Sequence, residues 1–283
     1  MTPRLRPGQG AVGFSWHRVT ALARKDAREL MRNPGAVVPA ILMVFASLFP
    51  LFLVVFFVPM VMGETLEQSG EFAEDAANAV GRIPELAGLS GNALIQTFLF
   101  HQFSLLLLLV PIVSATALAT HAVIGEKQSK ALEPLLATPI STIELLAAKT
   151  LTPFLFALGL TWAAVAIELA GAMAIGEPGV WRSMVGPRLF ILFGVLGPLV
   201  ELASLQVSVI VSSRTNDPRS AQQLTALLIL PVTIVFVAQL MGLFIVGPAA
   251  LLMGALACLV LNAVLAWVGV RVFERESILT RWR

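Results

Sequence analysis

The sequence has few charged residues and almost no cysteine. Only 13% of its 283 residues are charged, whereas about 25% is typical of soluble domains. Its single cysteine, Cys258, excludes an intrachain disulfide. Apolar residues are in excess instead, at 57% of the chain, with a mean hydropathy of +0.86. Because a water-soluble fold could not bury this much apolar surface, the composition predicts an integral membrane protein.

Motifs that would indicate an enzyme are also missing. No G-x-x-x-x-G-K-[ST] loop is present to cradle a nucleotide phosphate, so we do not expect this chain to hydrolyse ATP alone. No H-E-x-x-H motif occurs, and the three histidines are scattered without ligand spacing. We therefore expect no catalytic residue, no metal site and no cofactor bound by this chain. The pI of about 9.1 is attributed to the charges that set membrane topology rather than to a nucleic-acid partner.

Long apolar runs dominate the chain. A bilayer core about 30 Å thick is crossed by roughly 20 apolar helical residues. The runs are continuous rather than alternating, which favours helices over barrel strands. The sequence therefore predicts an all-α membrane protein with about six transmembrane helices in one domain, residues 1–283. The predicted spans are 37–62, 98–124, 151–175, 189–212, 224–246 and 249–273.

The basic residues predict the orientation of these spans. Sixteen of the 19 lysines and arginines precede span 1, follow spans 2 and 4, or lie in the C-terminal tail. The other three are Arg82, Arg182 and Arg188. Loops rich in lysine and arginine stay in the cytoplasm. We expect a multi-pass protein of the inner or plasma membrane with both termini cytoplasmic.

The residues before span 1 predict an amphipathic helix. After an N-terminal tail, 1–18, a mostly apolar stripe at helical spacing runs through 19–33, and the basic residues lie mainly off it. Such a helix lies flat in the headgroup region, and Asn33-Pro34-Gly35 ends it. Two roles are open, a plain membrane anchor and a contact with a partner.

The segment between spans 2 and 3 is longer than a simple loop requires. Pro134 and Pro139 bracket a short apolar piece, and Ser141 with Glu144 forms a capping box that predicts the start of the next helix. Leu135 and Leu136 in this piece either dock onto another protein or fold back against the bundle.

Four segments resemble type-2 ABC transporter permeases, the membrane-spanning subunits of bacterial ABC exporters. E-K-Q-S-K-A-L-E-P-L-L-A-T-P-I-S from Glu126 is similar to the family's E-K-x-x-G-T-L-E-P-L-L-A-T-P loop, although Lys130 and Ala131 replace its Gly-Thr. R-K-D-A-R-E-L-M-R-N-P from Arg24 resembles its amphipathic N-terminal helix. Supporting matches are S-S-R-T-N-D-P-R-S-A-Q-Q-L from Ser212 and F-E-R-E-S-I-L from Phe273. The four occur in the family's order, so the resemblance covers essentially the whole chain.

This resemblance implies a mechanism and partners. In the family, a short cytoplasmic coupling helix between spans 2 and 3 docks on a separate ATPase subunit, two copies of which bind ATP and Mg²⁺ and drive alternating access. The implied coupling residues are Glu126, Lys127, Glu133, Leu135, Leu136, Thr138 and Pro139. Arg28, Glu29 and Arg32 would add a contact from the amphipathic helix. Because six spans form half a pathway, a second permease chain is implied, as a homodimer or heterodimer within the membrane lipid.

Polar groups within spans are the remaining candidates. Glu168 and Glu201 lie within spans 3 and 4, where a charge costs roughly 2.5–3.5 kcal/mol on insertion, and Gln206 is a weaker case. Each either contacts the transported substrate or braces neighbouring helices. Five prolines should loosen the spans locally: Pro50, Pro59, Pro111, Pro198 and Pro231.

Two other function classes compete with a permease. A secondary transporter, or another polytopic protein without an ATPase, would more often show paired broken helices in two halves, which are not apparent here. An intramembrane enzyme would need a reactive constellation, and no aspartate lies in any predicted span.

Overall fold

The structure is a computed structural model that describes residues 15–70, 72–128, 142–215 and 217–272. Within these ranges the chain forms helices and short connections, without any strand. Six helical stretches are long and apolar enough to cross a membrane. The prediction of an all-α protein with about six spans is therefore confirmed.

Span 2 is the central helix of the six-span bundle. Of its most apolar stretch 89% is buried within the protein, against 17% for spans 5 and 6, so span 2 forms the core and the others face outward on one side. Spans 1, 3 and 4 pack directly against it. The spans are Pro34–Met62 (span 1), Gly91–Ile124 (span 2), Thr150–Ile175 (span 3), Pro187–Arg214 (span 4), Pro218–Leu240 (span 5) and Pro248–Gly269 (span 6).

The helices of spans 2 and 5 differ most from the predicted ranges, and span 5 begins at Pro218, six residues before its predicted start. Span 5 ends at Leu240, so the last six residues predicted for it lie beyond the helix. Gly242, with φ of +69°, forms the turn that ends it. Span 2 begins at Gly91, seven residues before the predicted start. Polar side chains such as Asn92 and Gln96 lower the hydropathy of these first seven residues, so the apolar run starts later than the helix. Gln96 is nevertheless buried.

The spans depart from α geometry shortly before four of the five predicted prolines. π-helical turns at Leu53–Phe57 and Phe190–Leu196 end two residues before Pro59 and Pro198. 3₁₀ turns at Ser104–Leu108 and Ala226–Leu228 end three residues before Pro111 and Pro231. A proline lacks the amide hydrogen that the preceding turn would bond, which permits such changes. Pro50 is the exception, within the continuous helix Pro34–Phe52.

The amphipathic helix, α1, spans Trp16–Met31. Its buried residues are Val19, Ala23, Asp26 and Leu30, the stripe recognised in the sequence. This stripe packs mainly against the helix Thr142–Ile175, which contains span 3. Asn33 then caps span 1, its side-chain oxygen accepting a hydrogen bond from the Gly35 amide at 3.0 Å. We call the α1 end of the bundle the near end and the opposite end the far end.

The connection between spans 1 and 2, residues 63–90, covers the far end, and we call it the cap. The described part contains the short helices Leu66–Ser69 and Ala73–Ala79 and a 3₁₀ turn, Pro84–Leu86. Their apolar residues join the main hydrophobic core: Leu66, Ala76, Ala79, Ile83 and Leu86. The cap is therefore part of the packed bundle.

Candidate functional site

The near end presents the charged face of α1 to its surroundings. Arg28, Glu29 and Arg32, predicted to contact an ATPase, are all exposed. Glu29 also pairs with Lys25 at 3.4 Å across one helical turn, an exposed contact that contributes little stability. The helix therefore offers these three side chains while its other face is fixed to the bundle.

A buried hydrogen bond ties α1 to span 3. The Thr152 hydroxyl donates to the Ala23 carbonyl at 2.9 Å, and both residues are buried. Span 3 belongs to the helix that begins at Thr142, directly after the predicted coupling segment. A displacement of α1 would consequently act on the base of span 3.

The predicted coupling residues fall largely outside the described part of the chain. Glu126 and Lys127 lie in the helix Leu109–Gln128, which extends span 2 at the near end. Glu133, Leu135, Leu136, Thr138 and Pro139 lie outside the described residues, as does the predicted coupling helix. The described helices place both ends of this segment at the near end, beside α1.

Glu168 is fully buried between spans 2 and 3. Its Oε1 atom lies 2.8 Å from the Ser104 hydroxyl, which also lies 2.7 Å from the Phe100 carbonyl of its own helix. Ser104 opens the 3₁₀ turn of span 2. The structure thus joins this predicted pathway residue to the point at which span 2 changes geometry.

Glu201 is fully buried in the middle of span 4. The backbone of Leu158 in span 3 lies beside its carboxyl group, but neither carboxyl oxygen has a well-formed hydrogen bond to any described residue. Burial of an unsatisfied carboxyl group costs several kcal/mol if it is charged and about 1–3 kcal/mol if it is neutral. Glu168 and Gln206 each have a side-chain hydrogen-bond partner, so Glu201 is the predicted pathway residue whose buried position no side-chain hydrogen bond explains.

Gln206 joins span 4 to span 6. Its amide donates to the Asn262 side-chain oxygen at 2.8 Å, and the Asn262 amide donates to the Leu199 carbonyl, also at 2.8 Å. Such amide pairs commonly hold membrane helices together. The arrangement favours the bracing interpretation of Gln206 over substrate contact.

A cavity of about 190 Å³ lies between spans 1, 2 and 5. Of its polar lining groups, the Thr116 hydroxyl is buried and has no hydrogen-bond partner in the described part of the chain. Glu168, Glu201 and Gln206 do not line this cavity. The lining residues are Pro39, Ile112, Val113, Thr116, Ala117, Gln222, Ala226 and Ile229.

Arg188, the most buried lysine or arginine among the described residues, was not predicted to be a site residue. It lies at the start of an apolar run, a position typical of interfacial arginines, yet only 1% of it is exposed. Its guanidinium donates to the carbonyls of His101 and Val246, which are distant in sequence. No local pattern could have indicated these partners.

Among the described residues, no group of three histidine, cysteine or acidic side chains could hold a metal ion.

The family comparison covers most of the chain. Residues 20–254 match a family model described as ABC-2 family transporter protein. The chain belongs to the ABC-2 transporter family. A comparison with individually curated proteins returned no match.

In this ABC-2 transporter, the matched region begins within α1 and ends within span 6. It includes the cap, the buried carboxyl groups and the cavity. The predicted type-2 ABC permease family is confirmed, so the chain is a multi-pass membrane component of an ABC transporter.

Proposed function

We propose that this chain is the permease subunit of an ATP-driven exporter and works by alternating access. The observation that carries the proposal is the family match across residues 20–254, joined to six spans. A separate ATPase, two copies per complex, binds ATP and Mg²⁺ and docks at the near end. The near end is cytoplasmic in the inner or plasma membrane, in keeping with the basic residues there.

Docking uses the segment between spans 2 and 3, with α1 as a second contact. Leu135 and Leu136 act as apolar anchors, while Arg28 and Arg32 supply rim charges that orient the partner. The Thr152–Ala23 hydrogen bond supports this arrangement because it links α1 to span 3. Force applied at either contact then reaches the same span.

Two permeases pair, as identical or different chains, along the side of spans 1 and 5. Both spans expose large apolar residues; Phe45 and Ile234, for example, are 67% and 65% exposed. The cavity between spans 1, 2 and 5 lies on this side, so pairing would enclose it within a central pathway. Its walls are largely apolar, and Thr116 and Gln222 are the polar residues that line it.

Purification of the tagged permease from native membranes tests the proposal. We expect an ATPase subunit to co-purify at a one-to-one ratio with the permease and to hydrolyse ATP. Recovery of an active, folded permease without an ATPase would favour the secondary-transporter alternative.

Cysteine cross-linking tests the pairing surface. With Cys258→Ala as background, Phe45→Cys should form cross-linked permease pairs in membranes. Leu256→Cys, 63% exposed on span 6, is the matched control and should not. Equal cross-linking at both positions would reject the spans 1 and 5 interface.

A further inference from the structure

Arg188 joins three separate parts of the far end. Its guanidinium donates to the His101 carbonyl in span 2 at 3.0 Å and to the Val246 carbonyl in the connection between spans 5 and 6. Its backbone amide donates to Oε1 of Glu85 in the cap at 3.0 Å. A buried guanidinium needs such partners because charge is costly away from water.

The cap fits closely against the start of span 4 and the connection between spans 5 and 6. A Cβ atom added at Gly186 would lie 2.6 Å from Cγ of Glu85. One added at Gly247 would lie 2.9 Å from the Arg82 carbonyl oxygen. Both distances are shorter than Cβ atoms normally allow, so each glycine permits the cap to approach.

The Glu85 carboxyl group lies within this contact. Its carboxylate lies close enough to interact electrostatically with the Arg188 guanidinium. Its second oxygen, Oε2, is buried without a hydrogen bond to the described residues. The acid therefore lies in the cap-to-span 4 contact rather than in solvent.

From these contacts we propose that Arg188 is a positioning residue: its guanidinium fixes the start of span 4, so that its backbone amide and Gly186 meet Glu85 and latch the cap closed. The far end opens when the Glu85-bearing turn of the cap separates from Gly186 and Arg188. The inference rests on the proposed transport function, because only a transporter needs this end to open. Because one guanidinium ties the start of span 4 to span 2 and to the connection between spans 5 and 6, its loss would shift the amide that holds the cap.

A reversible disulfide across the contact tests the latch. Glu85→Cys with Gly186→Cys, in a Cys258→Ala background, places two thiols there. Since Cβ is about 1.5 Å from Cγ, the two Cβ atoms lie within about 4.1 Å of each other, a separation that a disulfide spans. Gly186 has φ of −134° and ψ of 179°, so its backbone accepts a cysteine.

The readout is ATP hydrolysis by the intact permease–ATPase complex. We expect oxidation of the double-cysteine variant to suppress hydrolysis and a reductant to restore it, with the subunits still associated. Glu85→Cys alone should not respond to oxidant. If the cross-linked complex hydrolyses ATP at its reduced rate, the latch is excluded while the proposed function stands. If no ATPase co-purifies, the proposed function itself fails.

A labelling experiment tests Arg188 directly. Leu86, 0% exposed in the cap, becomes the reporter as Leu86→Cys in the Cys258→Ala background. We expect Arg188→Gln to raise its maleimide labelling rate about tenfold as the cap opens locally, and Arg188→Lys to give a smaller rise. Arg182→Gln is the matched control, because Arg182 lies over the Trp181 ring at 5.5 Å. Unchanged labelling in Arg188→Gln, or an equal rise in Arg182→Gln, would overturn the proposal.

Discussion

The Ser104 hydroxyl in span 2 lies 2.8 Å from Oε1 of Glu168 in span 3 and 2.7 Å from the Phe100 carbonyl oxygen. A serine hydroxyl has one hydrogen, so it cannot donate fully to both acceptors. Both contacts become hydrogen bonds when the Glu168 carboxyl group is protonated and donates to Ser104. This pair therefore joins spans 2 and 3 best when Glu168 is neutral.

A first prediction follows for this pair. Glu168→Gln retains a donor toward Ser104 and should leave the thermal stability of the purified permease nearly unchanged. Ser104→Ala removes the partner of a buried carboxyl group and should cost about 1–3 kcal/mol. The measurement is thermal unfolding of both variants in the same detergent. A stable Ser104→Ala with a collapsed Glu168→Gln would show that the carboxylate charge is what matters.

Glu201 should affect function more than assembly. Because neither carboxyl oxygen has a well-formed hydrogen bond to a described residue, Glu201→Gln removes the ionisable group without breaking such a bond. We expect the complex to assemble and its ATPase rate to change. Ser204→Ala is the control, since the Ser204 hydroxyl bonds the Val200 carbonyl of its own helix. Failure of Glu201→Gln to assemble would assign Glu201 a bracing role, and wild-type assembly and ATP hydrolysis would make it a tolerated interior group.

Thr152 should hold α1 to span 3. Thr152→Val preserves shape but removes the hydrogen bond to the Ala23 carbonyl, at a cost of about 0.5–1.5 kcal/mol. We expect faster trypsin cleavage within α1, with the spans intact on a gel. Thr20→Val is a suitable comparison, because the Thr20 hydroxyl bonds only within α1, to the His17 carbonyl. Identical cleavage rates in the two variants would show that the Thr152 hydrogen bond does not hold α1 to span 3.

The near end should be cytoplasmic and the cap extracytoplasmic. Ala21 and Ala87 are both exposed, on α1 and in the cap respectively. In the Cys258→Ala background, an impermeant maleimide added to intact cells should label Ala87→Cys and not Ala21→Cys. Labelling both after permeabilisation is the control. Strong labelling of Ala21→Cys alone in intact cells would reverse the orientation.

The number of spans could be predicted from the sequence because hydrophobic thickness constrains each span separately. Six apolar runs were enough to predict six spans, without any knowledge of how the helices pack together. The apolar stripe of α1 was equally visible, since helical spacing is a local property. The helices of spans 2 and 5 differ from the predicted ranges where polar residues lie inside a helix, as with Gln96, or where Gly242 ends one.

Tertiary contacts could not be predicted in this way. The partners of the Arg188 guanidinium are 58 and 87 residues away, and its neighbourhood in the sequence resembles that of any interfacial arginine. The pairing of Glu168 with Ser104 likewise depends on how spans 2 and 3 are rotated, which hydropathy leaves open. The roles of Glu168, Glu201 and the coupling residues remain predictions that the experiments above address.

The central claim is that a separate ATPase drives this permease through the segment between spans 2 and 3. Its most direct measurement is a pull-down of the ATPase by tagged permease carrying Leu135→Asp and Leu136→Asp, with permease thermal stability recorded alongside. Burying these carboxylates unpaired would cost several kcal/mol, enough to lower affinity by orders of magnitude. Leu135→Met with Leu136→Met keeps apolar volume and is the matched control. We predict that the aspartate variant loses the ATPase and keeps its stability, while the methionine variant retains both. ATPase retained at wild-type stoichiometry by the aspartate variant would contradict the coupling role, and a collapse in permease stability would show that the leucines pack against their own bundle.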